Sequence, residues 1–189
     1  MMPNIVPIAI SMMVSATSSF QSMASVANDE WALLRNSGTV VLMRHAIAPG
    51  TGDPEEFRID DCSTQRNLSE EGREQAREIG RAFRRRGIRV SQVLSSQWCR
   101  CLETARLMNL GDVKPQPALN SFFRDRSTDD SQTAQTRRLI VEHRPKSGVT
   151  VMVTHQVNIT SLTGIVPRSG GIVVVRADDE GEVKVLGEL

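Results

Sequence analysis

Two of the three histidines in this chain stand at the ends of continuous apolar runs. His45 follows Val40-Val41-Leu42-Met43-Arg44, and His155 follows Val149 to Thr154. A neutral imidazole is a nucleophile and a proton acceptor near pH 7. Arg44 precedes the first of them, and Arg100 lies in the first turn of a helix that follows another short strand, Val90 to Leu94. A guanidinium offers a planar fork of N–H donors that matches phosphate oxygens, and a helix N-terminus adds further donors. Neighbouring cations disfavour the imidazolium form, so His45 is expected to be neutral and nucleophilic. In open α/β sheets, ligands bind beyond the carboxyl ends of the strands. Two histidines and two arginines converging there would make an anion pocket.

Each residue alone has a plainer reading. A strand-end histidine is often a hydrogen-bonded structural residue, and a helix-end arginine often only solvates. His143, late in a polar helix beside Arg144, reads as a favourable contact with that helix's C-terminus. Asp53, Asp60, Asp61 and Cys62 offer a possible metal set with the histidines. Arg44 opposes it, because a fixed positive charge repels a cation and attracts phosphate, and no metal or organic cofactor is expected.

The elements that must position these groups alternate. The segment 28–37 reads as a short helix, with Asn28 as N-cap, Asp29 and Glu30 in the first turn, and Gly38 as a stop. After the first strand a polar loop runs over 46–67, and loops of that length are usually functional or disordered. Ser69 caps the next helix, whose stripe of Ala76, Ile79, Gly80 and Phe83 should face a sheet, and Arg84-Arg85-Arg86 closes it as solvated helix-end charge. A helix from about Gln97 to Met108 follows the second strand, then irregular chain with Pro115 and Pro117, then a helix from about Asp130 to His143. Ile172 to Val175 and Val183 to Leu186 read as a hairpin turning at Asp178 to Gly181. This pattern predicts an α/β fold, a three-layer sandwich with a largely parallel central sheet flanked by helices, in a single domain over 28–189.

Composition narrows the partners. With 23 basic and 22 acidic residues, net charge +1 and only 4% aromatic residues, no basic field or stacking platform points to nucleic acid. Residues 1–27 differ from the rest. Ile5 to Val14 is mostly apolar, and Ser25-Val26-Ala27 resembles a small-residue cleavage site. The expectation is a signal peptide, giving a periplasmic or secreted protein without a membrane span in the mature chain. The alternative is a disordered leader on a cytoplasmic one, since no Lys or Arg opens the segment and Pro7 interrupts it. The cysteines, Cys62, Cys99 and Cys101, match no zinc spacing. Export would suggest one disulfide and one free thiol. Cys99 and Cys101 sit two apart on a helix and point apart, so at most one can meet Cys62. Three buried thiols are the other reading.

The motifs now carry a resemblance. Leu42-Met43-Arg44-His45-Ala46 resembles the Arg-His-Gly signature of the histidine phosphatase superfamily (phosphoglycerate mutase-like, branch 1), with Ala46 in place of glycine. Arg66 to Ala76 is similar to the family's next segment, where a helix begins after a Leu-Ser/Thr pair. Ser95 to Ala105 resembles its Ser-Ser-x-x-x-Arg-x-x-x-Thr-Ala motif, and Val153-Thr154-His155-Gln156 the segment bearing its second histidine. The resemblance implies His45 as nucleophile and Arg44, Arg100 and His155 as the phosphate pocket. It also implies hydrolysis of a phosphomonoester through a phosphohistidine intermediate, without metal. Where mutase-like members carry a catalytic glutamate, the nearest segment here, Leu119-Asn120-Ser121, has serine. Asp125, with Asp129 and Asp130 as alternatives, is the expected leaving-group acid, although Arg124 and Arg126 beside it would favour its ionised form. The substrate is then a phosphorylated small molecule or a phosphoprotein. The competing functions are a phosphohistidine-type protein phosphatase and a catalytically silent binder of phosphorylated ligands.

Overall fold

The computed structural model describes residues 30–189. The proposed leader, Asn28 as a cap and Asp29 in a first turn lie outside them. Apolar residues at both even and odd positions of β1 (Val40–Arg44) demand burial on both faces, and the sheet supplies it. Val41 and Met43 enter one core with Val93, Val151, Val153 and Val174. Val40 and Leu42 enter the other with Met152, Val173 and Val175. Helices α1 (Glu70–Arg85) and α2 (Cys99–Met108) contribute Ala76, Phe83, Ala105 and Met108 to the first core. Helices α3 (Asp129–His143) and α4 (Gln156–Thr163) contribute Ile140 and Ile159 to the second. Each fully buried branched or aromatic side chain here is worth roughly 1.5–3 kcal/mol. The result is the expected three-layer sandwich.

With β2 (Val90–Ser95), β3 (Val113–Pro115), β4 (Val149–Thr154), β5 (Ile172–Ala177) and β6 (Val183–Glu188), the strand order is β3-β2-β4-β1-β5-β6. Strands β3, β2, β4 and β1 are mutually parallel, whereas β5 runs antiparallel to β1 and β6 to β5. The β1–β4 register fixes the chemistry. Val40 pairs with Thr150 and Arg44 with Thr154, so the next residue on each strand is a histidine. The ladder carries on past Arg44, where His45 N–H donates to the Thr154 carbonyl at 2.9 Å. Two residues far apart in sequence thus leave one sheet edge side by side.

Two glycines let α1 approach closely. A Cβ on Gly72 would lie 2.0 Å from the Ile47 carbonyl oxygen, and one on Gly80 would lie 1.9 Å from that of Met108. The Ser69 hydroxyl caps α1 by accepting from Gly72 N–H at 3.1 Å. The arginine run that closes α1 is more than solvated charge. Arg84 Nη1 donates to the Met108 and Asn109 carbonyls at 2.6 and 2.9 Å, satisfying the end of α2. Arg86 lies 4.3 Å over the Trp31 ring, and Arg85 pairs with Glu78.

Two elements have no counterpart in the sequence reading. Strand β3 is a three-residue edge ending in Pro115, a position where a missing N–H is tolerated. Helix α4 starts directly after His155 with no side-chain cap, and its β-branched residues disfavour a helix in isolation. Packing of Ile159 into the second core overrides that preference. The short N-terminal helix is also less regular than expected: one turn over 30–32 passes into a 3-10 turn, Leu33–Arg35. Among the described residues no helix is long and apolar enough to cross a membrane.

Candidate active site

Beyond the carboxyl ends of β1, β2 and β4 lies a cleft of about 360 Å³, lined by Arg44, His45, Arg100, His155 and Asp125 among others. The structure therefore brings the proposed nucleophile, the three phosphate-pocket residues and the first-choice acid to one site. The two imidazoles are 5.5 Å apart between ring centroids and inclined at 68°. His45 is 2% exposed, and its Nδ1 lies 2.8 Å from the Ala46 carbonyl. A carbonyl only accepts, so Nδ1 carries the proton and Nε2 keeps its lone pair. Burial, then the charge of Arg100, hold the ring's pKa down to about 3, so it is neutral at pH 7.

The backbone around His45 is held from three sides. Ala46 N–H donates to Thr104 Oγ1 at 3.1 Å, and that hydroxyl donates to the Arg100 carbonyl at 2.7 Å. The threonine of the Ser-Ser-x-x-x-Arg-x-x-x-Thr-Ala segment thus couples the His45 loop to the helix bearing Arg100. Gln75 accepts from Ile47 N–H and donates to the Ser169 carbonyl. Gly170 N–H donates to the His45 carbonyl. Ala46, where the resemblance has glycine, is fully buried and keeps a negative φ, so its methyl is accommodated.

His155 is 4% exposed. Its Nε2 lies 2.9 Å from Ser96 Oγ and 3.4 Å from Cys101 Sγ, which leaves Nδ1 on the opposite side of the ring. Burial, then the neighbouring His45 and arginines, hold this ring neutral as well. Burial also pushes the Cys101 thiol up to about 12, so it stays protonated.

The arginines divide their donors. Arg100 Nη1 and Nη2 bind the two Asp53 oxygens at 2.6 and 3.1 Å, and Nη1 also reaches the Arg66 carbonyl at 3.3 Å. Of the five N–H bonds of Arg100, this leaves Nε–H and the second Nη2 hydrogen, the side-on fork of the guanidinium. Arg100 Nε and Arg44 Nε are buried without a hydrogen-bond partner among the described residues. Arg44 itself is anchored by an Nη1 bond to the Pro167 carbonyl at 3.0 Å. Burial, then the charge of Arg100, lowers the pKa of Arg44, yet a guanidinium stays charged at any ordinary pH. The free donors fit an oxyanion.

Four residues of this floor were not nominated from sequence as parts of an anion site. Asp53, weighed only as a metal ligand, takes both ends of Arg100 and also accepts from Trp98 Nε1 and Arg66 N–H, at 3.0 and 3.2 Å. The Asp53 and Arg100 side chains are 8% and 3% exposed. Burial alone would raise the Asp53 pKa, but hydrogen bonds and charge from Arg100 outweigh it, so the carboxylate stays ionised. Arg66 enters beside it, donating Nε–H to the Gly52 carbonyl at 2.7 Å. Trp98 stands edge-on to His155, and Ser96 holds that ring. Loop residues such as Asp53 and Arg66 carry no periodic signal, although Arg66 and Ser96 do fall inside the quoted motifs. Counted over the cleft lining, four arginines face two aspartates, which makes it a site for an anion. Among the described residues no group of three or more His, Cys, Asp or Glu is placed to hold a metal ion.

A Cys62–Cys99 disulfide, with Cα atoms 5.7 Å apart, ties the 46–67 loop to the first residue of α2. Cys101 is free and buried, so one of the two helix cysteines meets Cys62 and the other does not. Asp125 lies at the exposed rim. Its carboxylate accepts from Ser127 N–H at 2.9 Å, and that contact lowers its pKa and keeps it ionised. Arg124 and Arg126 point elsewhere, to the Pro54 carbonyl and to Asp129. Asp129 is bound by Ser161 and Thr133, and neither it nor Asp130 lines the cleft. His143, the last residue of α3, is structural: Nε2–H donates to the Gly148 carbonyl, so Nδ1 accepts from the Thr150 hydroxyl, and the ring is tied to the start of β4.

No curated protein matches the sequence. Solved structures match its fold. The protein histidine phosphatase SixA bound to tungstate aligns with a TM-score of 0.56 and 17% identity, over 80% of this chain and 96% of that one. A phosphoserine phosphatase from Entamoeba histolytica gives 0.55 and 13%, over 79% and 95%. A mycobacterial glucosyl-3-phosphoglycerate phosphatase gives 0.55 and 15%, over 79% and 97%. The family model for the histidine phosphatase superfamily (branch 1) matches residues 40–130, the stretch that runs from β1 past Arg100 to the rim. Over that stretch the chain is similar to the histidine phosphatase superfamily, branch 1.

Proposed function

We propose that the protein is a metal-independent phosphatase that hydrolyses a phosphomonoester through a phosphohistidine on His45. The observation that carries this is the His45 Nδ1–H···O=C bond to Ala46 in a ring held neutral, because it leaves Nε2 as a bare nucleophile among guanidinium groups. Arg44 Nε and the side-on edge of Arg100 then bind the equatorial phosphoryl oxygens, and His155 presents Nδ1 to the same group. Nε2 attacks phosphorus in line, and the P–O bond to the leaving group breaks with its electron pair on oxygen. Water then attacks the phosphohistidine, releasing inorganic phosphate and restoring the imidazole. The three similar structures named above are phosphatases by name, which supports the same class of reaction here. A catalytically silent binder would not need a nucleophile kept unprotonated in this way.

His45→Ala should lower phosphate release by at least about 10³-fold in the presence of EDTA, with the circular dichroism spectrum unchanged. Activity within tenfold of wild type would overturn the nucleophile assignment. Loss of wild-type activity in EDTA, restored by zinc or manganese, would overturn metal independence.

A second reading is favoured by the ionised rim carboxylate. With Asp53 held by Arg100 and Asp125 by Ser127, both carboxylates that line the cleft among the described residues are ionised, and neither is a neutral acid for an alcohol leaving group. Substrates whose leaving group departs without a proton, a protein phosphohistidine among them, would suit it. We also propose export to a periplasmic or extracellular space. The Cys62–Cys99 disulfide supports it, since such bonds persist in oxidising compartments. N-terminal sequencing of the protein from its own host should find a mature chain starting near Asn28, and an intact leader would refute this.

A further inference from the structure

Outward from the two histidines, the cleft changes character. The chain has only seven aromatic residues, five Phe and two Trp, and three of them border this one cleft: Phe57, Trp98 and Phe123. They form a graded wall. Trp98 meets His155 edge-on, with centroids 5.4 Å apart at 76°, and its Nε1 bond to Asp53 fixes the ring plane. Phe57 stacks on Trp98 at 4.8 Å and 22°. Phe123 comes from the separate 119–131 segment and reaches the loop at Gly52, 4.0 Å from where a Cβ there would stand. Its neighbour Phe122 is buried in the fold, whereas Phe123 is 51% exposed. The fold does not use that ring, and it stands at the cleft.

Resting on the phosphatase reading, we propose that Phe57, Trp98 and Phe123 form a leaving-group subsite for a flat aromatic ring. The substrate class is then a phosphate carried on such a ring, as an aryl ester or an imidazole phosphoramidate. Three arguments meet here. In an in-line transfer the leaving group points away from His45, toward the mouth of the cleft. Aromatic rings prefer offset-stacked or edge-on partners, and the wall offers both a face and an edge. Neither leaving group needs a general acid: an aryloxide departs with the P–O electron pair and takes a proton from water, and a phosphoimidazole already protonated on its distal nitrogen departs with the P–N electron pair as neutral imidazole. That matches a rim carboxylate already ionised by its Ser127 contact. A cleft of about 360 Å³ holds one ring and one phosphoryl group.

The test separates ring recognition from leaving-group chemistry by using phosphonates, which cannot be hydrolysed. Binding of phenylphosphonate and methylphosphonate to the full chain is measured by calorimetry. Phenylphosphonate should bind about tenfold more tightly to wild type. That ratio should fall toward one in Phe123→Ala and in Phe57→Ala. The first variant removes a half-exposed ring, so folding is not at stake. Equal affinity for the two phosphonates in wild type, or a ratio unmoved in both variants, would overturn the subsite while leaving the phosphatase reading intact. Failure of both phosphonates and of inorganic phosphate to bind would overturn both. Turnover of phenyl phosphate, N-phosphoimidazole and a phosphotyrosyl peptide, each against glycerol phosphate, then identifies the carrier. Preference for glycerol phosphate over all three would refute the proposal.

Discussion

The floor and the rim of the cleft are built on different physics. On the floor, His45 and His155 are placed by strand register, and each ring is held by fixed partners inside the protein: Ala46 and Thr104 for the first ring and its loop, Ser96 and Cys101 for the second ring. On the rim, Phe123, Arg124 and Asp125 are exposed and come from irregular chain anchored by single hydrogen bonds. A floor set by backbone geometry keeps the phosphoryl chemistry constant. A rim set by loop side chains leaves the choice of leaving group free to vary. Substitutions in the floor should therefore damage rate and stability together, and those in the rim should alter selectivity alone.

The sharpest way to break that contrast is Asp53→Asn. This floor residue touches no nucleophile, yet it aims the free edge of Arg100. Loss of its charge leaves a buried guanidinium without its counter-ion, a change that typically costs 3–5 kcal/mol when one member of a buried pair is removed. Thermal unfolding should shift down accordingly. Because Arg100 then rotates, kcat should fall by about 10²-fold, a size typical of losing one transition-state donor. A variant with lowered stability but unchanged kcat would mean that Arg100 needs no partner to be aimed.

The next test concerns the tie between loop and helix. Cys62→Ser, or reduction of the wild type, should lower stability by about 4 kcal/mol, the loop-entropy value for a sequence separation of 37. Because the bond holds the Asp53 loop next to Arg100, activity should also decline under denaturant before global unfolding is seen. Coincident loss of activity and fold would show that the loop has no independent opening.

A titration probes the floor more gently. In the proposed mechanism the imidazole of His45 acts as an unprotonated nucleophile, and its folded pKa is lowered from 6.5 to about 3. Falling pH therefore leaves it competent through the range where a free histidine protonates. The acid limb of kcat/KM due to the enzyme should lie well below pH 5. Stability runs the other way. The unfolded chain takes up the proton near pH 6.5 and the folded one does not, so stability is lost as pH drops below about 6.5. A kinetic pKa near 6.5 assigned to His45 by NMR would contradict the buried, cation-flanked ring.

The same contrast explains what was legible in the sequence. Runs such as Val40 to Met43 and Val149 to Val153 announce a doubly buried parallel sheet, because each position must be apolar. Residues at their carboxyl ends inherit a place at the site, so His45 and His155 could be read from one sequence. Cys62 could be paired with one of Cys99 and Cys101, but choosing Cys99 required the helix to be placed. Asp53 could be weighed only as a metal ligand, for the same reason. Its meaning depends on a loop closing onto α2, and no local pattern encodes that closure. Helix α4 was missed because Val157, Ile159 and Thr160 disfavour a helix locally, and only contact with the sheet reverses the preference.

The smallest effect is expected at the rim acid. If Asp125 protonated the leaving group, it would need a raised pKa, yet its contact with Ser127 lowers it and outweighs the slight opposing effect of burial. Asp125→Asn keeps the shape and removes the charge. Release of phosphate from p-nitrophenyl phosphate and from an alkyl phosphate should each change by less than about threefold, far below the 10²–10⁴-fold of general acid catalysis. A slight gain in affinity for the dianionic substrate is the expected direction, since one negative charge leaves the mouth of an arginine-rich cleft. A loss of about 10²-fold confined to the alkyl ester would restore Asp125 as the proton donor. It would also mean that substrate binding breaks the Ser127 contact, because only a released and protonated carboxyl can give up a proton there.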